Sequence, residues 1–295
     1  MALELGAPGG LDIRVLPDRG LDIGAVTHED VQLAWLSERG EAPALPVEDL
    51  SGETWRTAWI GGLLTTCGLH NVGAPSEGHG LHGTYSHRRA MQVHVEEGAG
   101  RTAVRGVVTD GSLVLTRVIE LHHGVPKLTV EDTTVNRGDR PVAAPLLYHV
   151  NLGPPVWQPD AHLAMEPEAR EPPTPRDAPS AAALTSWSIA PAHDADAPER
   201  LFEHHPVSGP DGWSRAIVTN RAAGLAVIVA WDTTGLPRVH QWVDASLGAL
   251  AIEPANCSVL GRAADRAAGR LPTLAPWQPR RTRIRVTVTR PTASG

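Results

Sequence analysis

Cysteine is scarce in this chain: Cys67 and Cys257 are the only thiols in 295 residues, and neither belongs to a C-x-x-C pair. A zinc knuckle and a thioredoxin-type redox motif are thereby excluded, and both residues are expected as reduced thiols. No apolar run approaches the roughly 18 residues that a membrane-spanning helix needs, and residues 1–10 carry no Lys or Arg ahead of an apolar stretch, so no membrane partner and a cytoplasmic location are expected. A positive balance is also missing. The net charge is -7 and the basic residues are scattered, which argues against a nucleic-acid partner. G-x-S-x-G, H-E-x-x-H and G-x-x-x-x-G-K-[ST] are all absent, and no dinucleotide fingerprint sits in a βαβ setting, so several common enzyme classes lose their usual support. Phe 1 and Tyr 2 stand against Trp 9, an excess that serves either as core filler or as stacking surface for sugar rings.

What the chain does have is period-two alternation, the mark of strands with one buried face. Residues 11–15 show it, and residues 283–289 show it most cleanly, with Ile284, Val286 and Val288 on one face of a predicted terminal strand. Residues 112–121, 127–136 and 225–231 are rich in Val, Ile, Leu and Thr between turn residues, and 215–219 with 225–231 reads as a hairpin around Asn220 and Gly224. Helix signals are confined to residues 46–57 and 263–268, neither with an apolar stripe long enough for a helical core. The fold class is therefore all-β, with many strands in two packed sheets. One domain over residues 1–295 is the simplest division, because no repeat or Gly/Ser linker interrupts it. Close to half of the 26 prolines fall in residues 154–210, a stretch of little periodicity that reads as a lid or a surface excursion.

Four places carry candidate chemistry. In residues 147–155, His149 and Asn151 share a strand face and can point into one cavity, although a lone histidine is more often a buried structural group. In residues 250–257, Glu253 closes an apolar strand before Pro254, which biases it to extended geometry; the pattern fits equally an exposed strand-end carboxylate and a partly desolvated one, whose pKa would be raised toward the range of a general base. Residues 61–73 combine glycines with small polar groups, as backbone packed closely against something requires, and residues 77–87 follow with the densest histidine cluster. Glu77, His79, His82 and His87 are zinc or iron ligand types, but H-x-x-H in a loop recurs by chance, so sugar binding is preferred there and no metal or other cofactor is expected. Asp18 and Arg19 read as a structural ion pair fixing a turn. Gln241, Trp242 and Asp244 offer a stacking face and hydrogen-bonding groups, while His122, His123, His204 and His205 read as solvated surface.

At this point the residues resemble a known family. Residues 148–153 resemble the catalytic-histidine segment of the galactose mutarotase superfamily, and residues 252–256 its catalytic-glutamate segment. Residues 61–73, the His82-Gly83 pair and residues 261–276 resemble a poorly characterised bacterial, aldose 1-epimerase-like branch of it. Tyr148 and Val150 flank the histidine where characterised members carry Asn and an aromatic residue. The resemblance implies a large antiparallel β-supersandwich with a cleft on its concave sheet, and an isomerase that interconverts sugar anomers. Glu253 would take the anomeric proton and His149 would protonate the ring oxygen, the two meeting at a distance a pyranose can bridge. His82 would polarise the ring-oxygen side, and Asn71, Asn151 and Gln241 would hold hydroxyls, with Trp242 and His79 as further sugar contacts. The expected partner is a small sugar, bound by a monomer or homodimer. The same acid and base would also serve a keto-sugar isomerase or lyase acting by enolisation, with or without a metal, and a sandwich without turnover would be a carbohydrate-binding protein.

Overall fold

Alternation in sequence becomes alternation of burial: Leu113–His122 and Lys127–Asn136 each bury every second side chain. The computed structural model describes residues 2–45, 52–169 and 171–291. Its strands, in chain order, are β1 Leu3–Gly6, β2 Asp12–Leu16, β3 Asp22–His28, β4 Val31–Gln32, β5 Leu64–Gly68, β6 Met91–Gly98, β7 Arg101–Asp110, β8 Leu113–His122, β9 Lys127–Asn136 and β10 Val142–Ala143. They continue as β11 Leu146–Leu152, β12 Ala161–Glu166, β13 Thr174–Pro175, β14 Arg200–His204, β15 Trp213–Asn220, β16 Leu225–Asp232, β17 Arg238–Asp244, β18 Ala249–Ala255, β19 Thr273–Leu274 and β20 Pro279–Thr289. Helices are short: α1 Gly52–Ala58, α2 Ala178–Ala182 and α3 Arg262–Ala267.

Ten strands form one sheet, ordered β1-β2-β3-β5-β11-β18-β17-β14-β13 with β4 beside β3, and eight form a second, ordered β12-β15-β16-β20-β9-β8-β7-β6. The predicted hairpin is β15–β16, closing from Asn220 to Leu225, and Ile284, Val286 and Val288 of β20 are buried. One apolar cluster fills the space between the sheets, drawing Tyr148, Val150, Ile252, Val239 and Val243 from the first and Ile119, Val130, Val229 and Val286 from the second. This is the all-β supersandwich expected from the sequence.

A buried charge network crosses the same space. Arg117 on β8, fully buried, donates to both carboxylate oxygens of Asp132 at 3.0 and 2.7 Å, to Asp22 at 3.1 Å and to the Thr66 hydroxyl at 2.9 Å. The Tyr148 hydroxyl donates to Asp132 at 2.6 Å. Tyr148, one residue before His149, thus pins β11 to the second sheet and leaves His149 facing the other way.

Several expectations change. Of the helix predicted over residues 46–57, residues 46–51 lie outside the described residues and the rest is seen as α1. Residues 154–210 are no loose excursion: they supply β12 to one sheet and β13 and β14 to the other, with Pro175 on the edge strand β13, Pro179 in the first turn of α2 and the other prolines between elements. Arg19 fastens its turn through the carbonyls of Ala42, Pro43 and Ala58, while Asp18 lies 3.5 Å from Arg89. His204 is buried, not solvated, and donates to Gln241 at 2.9 Å. Burial pulls it down to about 4.

Candidate active site

On the outer face of the ten-stranded sheet, successive strands align a polar row. His149 on β11 is paired with Thr65 on β5, Glu253 on β18 with His240 on β17, and His240 with Glu203 on β14. The register of β11 against β18, set by Val150 with Ile252 and Leu147 with Ala255, brings His149 opposite Glu253. Residues far apart in sequence therefore become cross-strand neighbours. His149 Nε2 lies 3.0 Å from Glu253 Oε1, and both side chains are nearly fully buried. The pair is in direct contact, closer than the pyranose-spanning separation expected from sequence.

His149 is held from both sides. Its Nδ1 is 2.5 Å from Asn151 Oδ1, and the Asn151 amide nitrogen donates to Gly62 O at 2.8 Å and His149 O at 3.1 Å. Those donations identify the Asn151 oxygen as an acceptor, so both imidazole nitrogens face acceptors, the arrangement of a protonated ring. Burial pushes the Glu253 carboxyl up, but the charge and hydrogen bond of His149, with His240 and His82 behind them, outweigh it and hold the group below the ordinary glutamate value. The expectation of a raised Glu253 is thus reversed, because burial comes with a cationic partner.

A cavity of about 320 Å³ opens over this pair, lined by His149, Glu253, His82, Trp55, Trp59 and Trp242, with Arg56, Glu199, Leu81, Leu201, Val259 and the 73–75 turn completing its wall. Trp59 stands edge-on to His149 at 5.3 Å and to Trp242 at 5.5 Å, and stacks with Trp35 at 5.0 Å and Trp55 at 6.2 Å. Three of these indoles are fixed by their own N–H groups: Trp59 donates to Thr65, Trp242 to Glu199 and Trp35 to Leu247 O. His82 packs on Trp55 at 4.6 Å, and its Nδ1 accepts the Gly73 N–H at 3.4 Å, which leaves Nε2–H as its donor. Burial, then the nearby charge of His149, lowers His82 to about 4, so it is neutral at pH 7.

Of the residues singled out in sequence, His149, Glu253, His82 and Trp242 line the cavity. Asn71, Asn151, Gln241 and His79 do not, each for a physical reason. Asn71 is fully buried and its amide is used up inside the loop, donating to Ala74 O and Gly80 O and accepting from Arg262 N. Gln241 adjoins Trp242 on one strand, so the two must face opposite ways; Gln241 turns inward, bonded to His204 and Trp187 O. His79 stacks on His70 at 5.6 Å and accepts from Arg262 at 3.0 Å. Asp244 caps the turn at Ser246 and Leu247. The histidine cluster does not converge: His87 accepts from Leu45 N, Glu77 pairs with Arg262 and Arg266, and among the described residues no three His, Cys, Asp or Glu side chains gather as a metal site. The glycines of this segment do mark close approach. A Cβ on Gly73, at φ +73, would lie 1.9 Å from Val259 O. Sequence reasoning missed Trp55, Trp59, Arg56, Glu199, Leu201 and Val259. The one available signal was the i, i+4 spacing of Trp55 and Trp59 within a tryptophan-rich composition.

Comparison with known proteins places the chain in a family. A proposed aldose 1-epimerase from Klebsiella pneumoniae superposes with a TM-score of 0.90 at 21% identity, covering 99% of this chain and 80% of that one. A galactose mutarotase-like protein from Clostridium acetobutylicum gives 0.68 at 15% identity, covering 98% and 95%. A proposed aldose 1-epimerase from Escherichia coli K12 gives 0.63 at 13%, covering 99% of each chain. At these identities the likeness establishes the galactose mutarotase-like fold. No curated protein matches the chain in sequence. Among the described residues no helix is long and apolar enough to cross a membrane. The family model for a domain of unknown function, DUF4432, matches residues 1–288, and the chain belongs to that family.

Proposed function

We propose that the protein is an aldose 1-epimerase-type isomerase that interconverts the α and β anomers of a free sugar, with Glu253 as base and His149 as acid. The observation that carries this reading is the 3.0 Å contact between the two groups on the wall of an indole-lined cavity. Ring opening removes a proton from the anomeric hydroxyl and delivers one to the ring oxygen. Both oxygens are bonded to the same carbon, so acid and base must be near neighbours, as this pair is.

The ionised carboxylate of Glu253 takes the hydroxyl proton while the C1–O5 electron pair moves onto the ring oxygen, which accepts the Nε2 proton of His149. The products of that step are an open-chain aldehyde, a protonated Glu253 and a neutral imidazole. Rotation about C1–C2 presents the other carbonyl face. Closure then runs in reverse: the hydroxyl attacks C1 and returns its proton to His149, and Glu253 protonates the new anomeric oxygen. Trp59 and Trp242 offer π faces to the C–H side of the ring, and neutral His82 offers Nε2–H to a sugar oxygen.

Saturation-transfer NMR across a panel of aldoses measures anomer exchange directly. Glu253→Gln and His149→Asn are each expected to lower turnover by at least ~100-fold, as loss of a general acid or base does. Exchange at the wild-type rate in both variants would remove the pair from the mechanism. Mutarotation moves no carbon-bound hydrogen, so uptake of solvent deuterium at carbon would replace this reading with enolisation, and sugar affinity without exchange would replace it with binding.

A further inference from the structure

We infer that the preferred substrate is a 6-deoxyaldose, a sugar whose C5 carries a methyl group, and that the wall formed by Trp55, Leu81 and Val259 beside His82 selects it. The orientation of the sugar is taken from the mutarotase reading, on which the inference rests, and the experiment below separates the failure of one from the failure of the other.

The orientation follows from bonding within a pyranose. With the ring oxygen at His149 Nε2 and the anomeric hydroxyl at Glu253, C5 is the second carbon bonded to the ring oxygen, so its substituent leaves the ring at the His149 end of the cavity. Aromatic groups surround that end. Trp59 stands 5.3 Å from His149 and His82 stands 6.3 Å from it, while Trp55 lies 4.6 Å from His82 and 6.2 Å from Trp59. Leu81 precedes His82 and shares an apolar cluster with Trp55, against which Val259 packs, and all three line the cavity. Indoles serve the C–H face of any sugar, but Leu81 and Val259 are aliphatic and offer no π face. They suit a methyl group.

The polar groups of this wall are already taken. Gly73 N–H donates to His82 Nδ1 and Gly73 O accepts from His82 N–H, while Ala74 N–H donates to Val259 O and Ala74 O accepts from Asn71. The Trp59 N–H goes to Thr65, whose hydroxyl donates to Gly61 O. The Trp55 N–H is buried, with no surface open to the cavity. Among the described residues, the group left on this wall is His82 Nε2–H, a donor that cannot accept the hydrogen of a hydroxyl. Arg56 and Glu199 also line the cavity, but both are exposed and serve hydroxyls on the solvent side of the ring.

A hydroxymethyl group on C5 would press its oxygen against leucine, valine and indole with its hydrogen unpaired, which weakens binding, whereas a methyl strengthens it by burial. Burying one methyl is worth roughly fourfold in affinity, and an apolar pocket disfavours an added hydroxyl by up to roughly a hundredfold.

The test uses series of aldoses with one ring configuration that differ only in the C5 substituent, hydrogen, methyl or hydroxymethyl: L-arabinose, D-fucose and D-galactose; D-arabinose, L-fucose and L-galactose; L-lyxose, L-rhamnose and L-mannose. Saturation-transfer NMR gives kcat/KM for each sugar with the full-length protein, and ligand-observed NMR gives its Kd. In the series that exchanges fastest, the methyl sugar should exceed the hydroxymethyl sugar by roughly tenfold or more and the pentose by roughly fourfold. A hydroxymethyl sugar equal to or better than its methyl counterpart would overturn the inference. Leu81→Thr should lower the methyl-to-hydroxymethyl ratio several-fold; the ratio compares two sugars on one preparation, so any loss of folded protein cancels from it. A ratio unchanged by that substitution would also overturn the inference. If no sugar exchanges anomers, the same ratios are read from Kd: a methyl preference there leaves the selectivity standing and removes the reaction, and no preference or no binding removes the selectivity.

Discussion

Glu253 and His149 were legible because each sits in a local pattern with direct chemical meaning: a carboxylate ending an apolar strand before proline, and an imidazole on a strand with an amide two residues on. The partners of each group were not legible, since they arrive from other strands. Burial alone would raise Glu253; the His149 charge reverses the sign. The consequence is a pH profile. A base held below the ordinary glutamate value stays ionised as pH falls past 4.5, and His82 gains its proton only near 4. Anomer exchange should therefore persist at pH 5 and decline as pH falls through about 4, measured as kcat/KM against pH; an acid limb centred near 6.5 would show that neither group has the environment described. The indoles give a second prediction at this scale. Trp59 and Trp242 are edge-on neighbours at 5.5 Å on the cavity wall, and replacing either with Ala should raise KM several-fold, the loss of roughly 0.5–1.5 kcal/mol of aromatic contact. An unchanged KM in both variants would place the sugar elsewhere.

Strands were read well from alternation because that signal is local, and β9 coincides with residues 127–136 as predicted. Register was not readable. It alone decides that Trp242 faces the cavity while Gln241 faces the core, a one-residue distinction that exchanges the two strand faces. The proline-rich stretch hid β12, β13 and β14 because short strands separated by prolines carry too few residues to show a period. Tyr148 shows how an element serves the site from behind. Its hydroxyl bonds Asp132, which with Asp22 surrounds fully buried Arg117, so the strand bearing His149 is tied to the opposite sheet one residue away. Arg117→Met strands two buried carboxylates and should destabilise the fold by about 3–5 kcal/mol, read as a lower urea midpoint. A change below about 0.5 kcal/mol would mean the network contributes nothing to stability.

At the scale of the molecule, two antiparallel sheets share one apolar interior, and the ten-stranded sheet carries the polar row on its outer face. The loops that cover that row come from distant parts of the chain. Arg262, at the start of α3, reaches back to His70 O at 2.8 Å and to Glu77 at 2.7 Å, so segments that look unrelated in sequence brace one another around the cavity. Of residues 61–73, 82–83 and 261–276, which carry the family resemblance, Gly73 and His82 line the cavity. The central claim is that the contacting imidazole and carboxylate address the two oxygens of one anomeric carbon. A crystal structure of Glu253→Gln soaked with an aldose tests it most directly. The account predicts the sugar's ring oxygen within about 2.6–3.2 Å of His149 Nε2 and its anomeric hydroxyl within the same reach of the side chain at position 253. A sugar bound with its anomeric carbon remote from both groups would contradict it.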